Sequence, residues 1–162
     1  MRKLMWAGVL AAAFYGHGWY VFSEPAVMGW LQTQQRKELK AEDGFCDSYA
    51  SDLRVSMRSE TARGVEALEG GKVEMCEYVK DAVATLRATQ SSVNIDTDLV
   101  SVERSGFPWL GATVTVRQTS TVRMPRMPAF TEVGEYTYEL TRTLNGRQIV
   151  SIDGSSTMGM VQ

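Results

Sequence analysis

From Val93 to the end of the chain the apolar residues recur with a period of two, where the preceding segment recurs with helical spacing. That switch constrains the fold more than any other feature, because period two is the signature of a half-buried strand. Four long strands are predicted: Val93 to Arg104, Ala112 to Met124, Val133 to Thr143 and Arg147 to Thr157. Gly106-Phe107-Pro108 separates the first two, and Pro125, Met127 and Pro128 lie between the second and third. The last connection, Leu144-Asn145-Gly146-Arg147, carries the sharpest turn signal, since Asn-Gly tolerates the positive φ values of a tight hairpin. Strands joined so closely pair as an antiparallel meander, and one face of that sheet needs a covering layer. The earlier residues supply it. Helix is predicted from Ala26 to about Glu42, with Val27, Trp30, Leu31 and Leu39 able to share a face, and a break follows at Asp43-Gly44. A short helical piece from Phe45 to Ala50 and strands at Leu53 to Met57 and Val65 to Leu68 come next. After the Gly70-Gly71 break, Lys72 to Ala88 reads as an amphipathic helix with Val73, Cys76, Val79, Val83 and Leu86 on one stripe. The class is therefore α+β.

The N-terminus poses a separate question. Leu4 to Phe22 contains no Asp, Glu, Lys or Arg and follows Arg2-Lys3. As a helix it would be about 28 Å long, close to the thickness of a bilayer core. The flanking charges leave the N-terminus in the cytoplasm and send the rest outward. The expectation is a transmembrane signal anchor over residues 1–25 and a periplasmic domain over 26–162, single-pass in a bacterial inner membrane. Two alternatives stay open. Ala11-Ala12-Ala13 or Gly16-His17-Gly18 offers small residues for signal-peptide cleavage, and the segment also suits a buried core helix.

The order of elements resembles the nuclear transport factor 2-like superfamily. Asp52-Leu53-Arg54-Val55-Ser56-Met57 stands as the early strand, Gly70-Gly71-Lys72 opens the helix, and the meander ends in Ile149-Val150-Ser151-Ile152-Asp153. The resemblance covers roughly Ala26 to Met158 and implies a cone, with helices over the concave face of a curved, mostly antiparallel sheet. In such a cone the helical regions holding Cys46 and Cys76 both lie over the sheet, so the resemblance brings the two cysteines within reach of a disulfide. Two buried thiols packing as small apolar residues are the alternative. An anchor joined to such a domain is similar to the arrangement of VirB8-like components of type IV secretion systems. The superfamily holds enzymes, small-molecule binders and assembly domains, so the fold does not choose a function.

Composition removes some classes. Hydrophobic residues form 44% of the 162-residue chain and charged residues 22%, enough for a real core. The net charge is −2, with 17 basic residues scattered among 19 acidic ones, so no basic face for nucleic acid is expected. Arg36-Lys37-Glu38-Leu39-Lys40 reads as a solvated helix face. The single histidine, His17, lies in the apolar segment, which argues against Ser-His-Asp or Cys-His catalysis in the domain. No zinc spacing and no phosphate-binding glycine loop is present, so no metal or cofactor is expected.

A hairpin centred on Asn145-Gly146 sets Tyr138 opposite Asp153, and a connection centred near Pro128 sets Gln118 opposite Tyr138 and Arg117 opposite Glu139. Val114, Val116, Tyr136, Tyr138, Leu140 and Ile149 then share the concave face with Gln118, Ser120, Ser151 and Asp153. Tyr138, Asp153, Gln118 and Tyr136 become candidate ligand-binding residues, with Asp153 a possible base and Tyr138 a donor. A buried or rim hydrogen-bond network is the simpler explanation of the same residues. The functional expectation is a non-catalytic domain that meets a protein partner or assembles with itself, held to the membrane by its N-terminal helix. The alternative is a small-molecule binder or enzyme using the cavity.

Overall fold

The computed structural model describes the backbone over residues 2–61, 64–106, 109–143 and 146–160, and side chains within those segments from Ala12 to Gly159. Its elements are α1 (Arg2–Val21), α2 (Glu24–Lys40), a 3-10 turn (Phe45–Ser48), β1 (Tyr49–Thr61), β2 (Gly64–Gly70), α3 (Lys72–Ala88), β3 (Ser92–Ser105), β4 (Gly111–Arg123), β5 (Phe130–Thr143) and β6 (Gly146–Met160). The strands form one mixed sheet in the order β2-β1-β6-β5-β4-β3. The meander β3 to β6 is antiparallel throughout, and β1 joins it by parallel pairing with β6. Helices α2 and α3 cover the concave face.

Local chemistry explains the boundaries. Pro25 lies in the first turn of α2, where its missing N–H costs nothing, and Ala41 closes the helix in the left-handed conformation. Glu74 reaches back from the first turn of α3 to accept a hydrogen bond from the Gly71 N–H at 2.8 Å. The core joins Val27 and Leu31 of α2 and Val79 and Val83 of α3 to Val114, Val116, Leu140, Ile149 and Ile152 of the sheet. The concave face expected for Val114, Val116, Tyr136, Tyr138, Leu140 and Ile149 is the one observed. Val73 departs from its expected stripe and is 64% exposed; Met75 takes the buried position instead.

Cys46 and Cys76 form a disulfide with Cα atoms 6.1 Å apart. The bond ties the 3-10 turn to α3 across one end of the cone.

Two strand registers differ from expectation. Between β4 and β5 the pairing is shifted by four residues, so Val114 faces Tyr138, Gln118 faces Gly134 and Arg117 pairs with Glu135 at 3.5 Å. An even shift preserves the faces. Glu139 pairs instead with Arg54 at 3.2 Å. In the β5–β6 hairpin, Thr143 faces Gly146, so Gly146, with φ 140°, opens the strand rather than sitting within the loop. Beyond it the register changes between Glu139 and Leu140, leaving Val150 as an extra residue in β6. Phe107, Pro108 and Asn145 lie outside the described residues.

The expected transmembrane anchor is not found. Among the described residues no helix is long and apolar enough to cross a membrane. The physical reason lies in the second half of the charge-free run, where Gly16, His17, Gly18, Trp19 and Tyr20 replace aliphatic residues. That half docks on the sheet. Phe22 is fully buried and Val21 nearly so. Arg104 donates to the Phe22 carbonyl at 3.1 Å and lies over the Trp19 ring at 4.9 Å. Arg142 contacts His17 Nδ1 at 2.8 Å and covers the Phe14 ring at 4.3 Å. The buried core helix of the alternative reading is not observed either: only Gly18, Val21 and Phe22 of the described run are buried, while Phe14, Tyr15, Trp19 and Tyr20 are exposed.

Candidate functional site

Between the helices and the sheet lies a cavity of about 250 Å³. Its floor comes from the concave residues of β4, β5 and β6, and its roof from α2 and α3. Most of its wall is apolar, including Met57, Met75, Ile95, Ile149 and Ile152. Polar groups from two glutamates, three glutamines and four tyrosines interrupt this wall.

One of the two carboxyls among them is Glu38. Glu38 is half-buried and lines the cavity from the last turns of α2. Oε1 accepts a hydrogen bond from the Tyr49 hydroxyl at 2.6 Å and another from Gln34 Nε2 at 3.2 Å. Gln34 Nε2 also donates to the Phe45 carbonyl at 2.7 Å, and Gln34 and Tyr49 are themselves buried. Glu38 Oε2 has no hydrogen-bond partner among the described residues. Burial pushes the Glu38 carboxyl above the usual carboxylate range, and the bonds from Tyr49 and Gln34 oppose that rise. The same burial, joined by the nearby Glu38 charge, raises the Tyr49 phenol far above its ordinary value.

On the sheet side, Tyr138, Tyr136 and Gln118 all line the cavity. Burial raises the Tyr138 phenol, and the Glu38 charge adds to it, while a hydrogen bond with Gln118 acts the other way. Tyr136 lies over two glycines. A Cβ at Gly134 would come within 2.8 Å of the Tyr136 ring, and one at Gly154 would overlap that ring and meet the Glu135 carbonyl at 2.9 Å. Those glycines let the aromatic ring rest flat on adjacent strands. Burial raises the Tyr136 phenol, against a hydrogen bond with Ser156. Glu132, on the same face of β5, also lines the cavity and accepts hydrogen bonds from Ser59 at 3.3 Å and from Ser156.

Three of the four residues singled out from sequence therefore meet in one cavity, and Asp153 does not join them. Asp153 faces Thr137 across the strands and is exposed on the convex side. The extra residue at Val150 reverses the alternation of β6 between Ile149 and Ile152, which carries Ser151 and Asp153 to the outer face. Sequence reasoning missed Glu38, which falls in a charged run. A signal was present, since Val27, Leu31, Gln34 and Glu38 recur at spacings of four, three and four. Among the described residues no cluster of His, Cys, Asp and Glu is placed to hold a metal ion.

No family model matches the chain, and no curated protein matches it in sequence. Solved structures do match its fold. A ketosteroid isomerase-like protein from Erwinia carotovora atroseptica superposes with a TM-score of 0.54 at 15% identity, covering 83% of this chain and 93% of that one. Aln2 from a Streptomyces species gives 0.61 at 14% identity, covering 80% and 86%. The beta subunit of benzoate 1,2-dioxygenase from Burkholderia mallei gives 0.56 at 14% identity, covering 85% and 91%. Likeness at such identities is likeness of fold, and it supports the nuclear transport factor 2-like architecture.

Proposed function

We propose that the domain binds a small, mainly apolar ligand in its concave cavity, with Glu38 as the principal polar anchor. The observation that carries this reading is the Glu38 carboxyl: it lines a largely apolar cavity, held through one oxygen by Tyr49 and Gln34, with none of the described groups bonded to the other. A buried ionisable group is costly unless it serves a partner or a function. The volume lies below the range of about 300–1,000 Å³ typical of drug-sized ligand sites, which suits a molecule of one or two fused rings. The fold is shared with an isomerase-like protein and with an oxygenase subunit, so fold alone favours neither chemistry nor assembly. Assembly through a protein partner or a second copy is the weaker reading. The outer sheet face carries Thr113, Thr115, Arg117 and Glu139, in place of the apolar patch an obligate interface needs. The analogy with VirB8-like components rested on a spanning anchor and loses its basis with it. The disulfide is consistent with an oxidising compartment such as the periplasm.

The test is a thermal-shift titration with naphthylmethanol, a neutral bicyclic probe, on the wild type and on Ala82→Phe, which places a ring in the cavity from α3. A concentration-dependent rise in midpoint for the wild type alone is expected. An equal rise in both proteins would move binding outside the cavity, and no rise in either would remove the reading.

A further inference from the structure

The chemistry of the cavity wall narrows the ligand, on the reading that the cavity is a binding site. Among the described residues that line it, two carry carboxyls, Glu38 and Glu132, and none is Lys, Arg or His. Four tyrosines, Tyr49, Tyr78, Tyr136 and Tyr138, stand in the same wall. The two carboxyls are held alike, each accepting two hydrogen bonds at Oε1 with none of the described groups on Oε2. Glu132 accepts from Ser59 and Ser156 at the β1–β6–β5 side. Glu38 accepts from Tyr49 and Gln34. An adjoining depression over Glu66 and Glu132 extends this acidic region toward β2, and Arg58 borders it there.

We infer that the cavity takes an apolar primary amine, its ammonium group paired with Glu38 Oε2 and its hydrocarbon body lying against the tyrosines and methionines. An ammonium has three donors and no acceptor, which complements a site presenting a spare carboxylate oxygen. Pairing a charge with an enclosed carboxylate relieves the desolvation that Glu38 otherwise bears alone. Aromatic rings around the ammonium add cation–π attraction. A ligand carboxylate, by contrast, would enter an enclosed space holding two carboxyls and, among the described residues, no cation to receive it. A neutral alcohol of the same shape gains the apolar contacts without the charge pairing.

Isothermal titration at pH 7 with three matched probes tests this: naphthylmethylamine, naphthylmethanol and naphthoate. The amine is expected to bind at least tenfold more tightly than the alcohol, and naphthoate more weakly than either. In Glu38→Gln the amine-to-alcohol ratio should fall to within about twofold of unity. Glu132→Gln is the second variant, carrying a smaller fall and serving if Glu38→Gln does not fold. Alcohol binding without an amine preference, or a preference for naphthoate, overturns the ligand class and leaves the cavity reading standing. An amine preference that survives both substitutions also overturns it. If none of the three probes binds the wild type, the cavity reading fails and the inference fails with it.

Discussion

Removing the Cys46–Cys76 bond should lower stability by an amount set mainly by the loop it closes. The two cysteines are 30 residues apart in sequence. In the chain-entropy account, closing a loop of that length costs the unfolded chain about 12 cal/mol/K, or about 3.6 kcal/mol at 25 °C. The bond also fixes the 3-10 turn that presents the Phe45 carbonyl to Gln34, so its loss should loosen the cradle of Glu38 as well. The perturbation is the double variant Cys46→Ala/Cys76→Ala, followed by urea unfolding. With a slope of about 2 kcal/mol/M, the midpoint should fall by about 1.8 M. Thermal unfolding should show a drop of about 7–14 °C. Reductant should bring the wild type to the same place and leave the double variant unmoved. A loss below about 1 kcal/mol, with the wild type indifferent to reductant, would refute the idea that this bond constrains the unfolded chain.

Tyr49→Phe removes the shorter hydrogen bond to Glu38 and should cost about 1.5–3 kcal/mol at neutral pH, as for a bond to a charged acceptor, read from urea midpoints. Burial raises the Glu38 carboxyl in the folded state. Its contribution to stability is therefore fully present below the unfolded value of about 4.3 and is lost as pH rises through the higher folded value. Glu38→Gln should erase that decline and be more stable than wild type at neutral pH; parallel unfolding curves across pH would contradict this. Gly154→Ala should cost about 1–3 kcal/mol by forcing the Tyr136 ring off the strand, and adding Tyr136→Leu should recover part of the loss in a double-mutant cycle.

What the sequence reveals follows the range of the forces involved. Period and turn chemistry are local, and they place α3 and the meander strands within a few residues of their observed limits. The concave face was legible because alternation survives any even shift of register, so Tyr136, Tyr138 and Gln118 reach the cavity although β4 and β5 pair four residues away from expectation. Asp153 was lost to a single extra residue, Val150, whose placement depends on how β6 must bend between β1 and β5. Glu38 was hidden for a different reason. Its neighbours Arg36, Lys37 and Lys40 resemble a solvated face, and only the packing of Tyr49 and Gln34 around it creates the enclosed site. The N-terminal run shows the limit of charge counting. Its freedom from charge fits both a bilayer and a docked helix, and arginines 80 to 130 residues away, Arg104 and Arg142, favour the second.

The account stands most directly on the location of ligand binding, and the methionine methyl groups report it. Met57 and Met75 line the cavity, whereas Met127 and Met158 are exposed, at 54% and 41%. In methyl-labelled protein titrated with naphthylmethanol, Met57 and Met75 should shift together with one saturation curve while Met127 and Met158 stay in place. Shifts confined to Met127 and Met158, with the cavity methyls unmoved at saturation, would contradict the account.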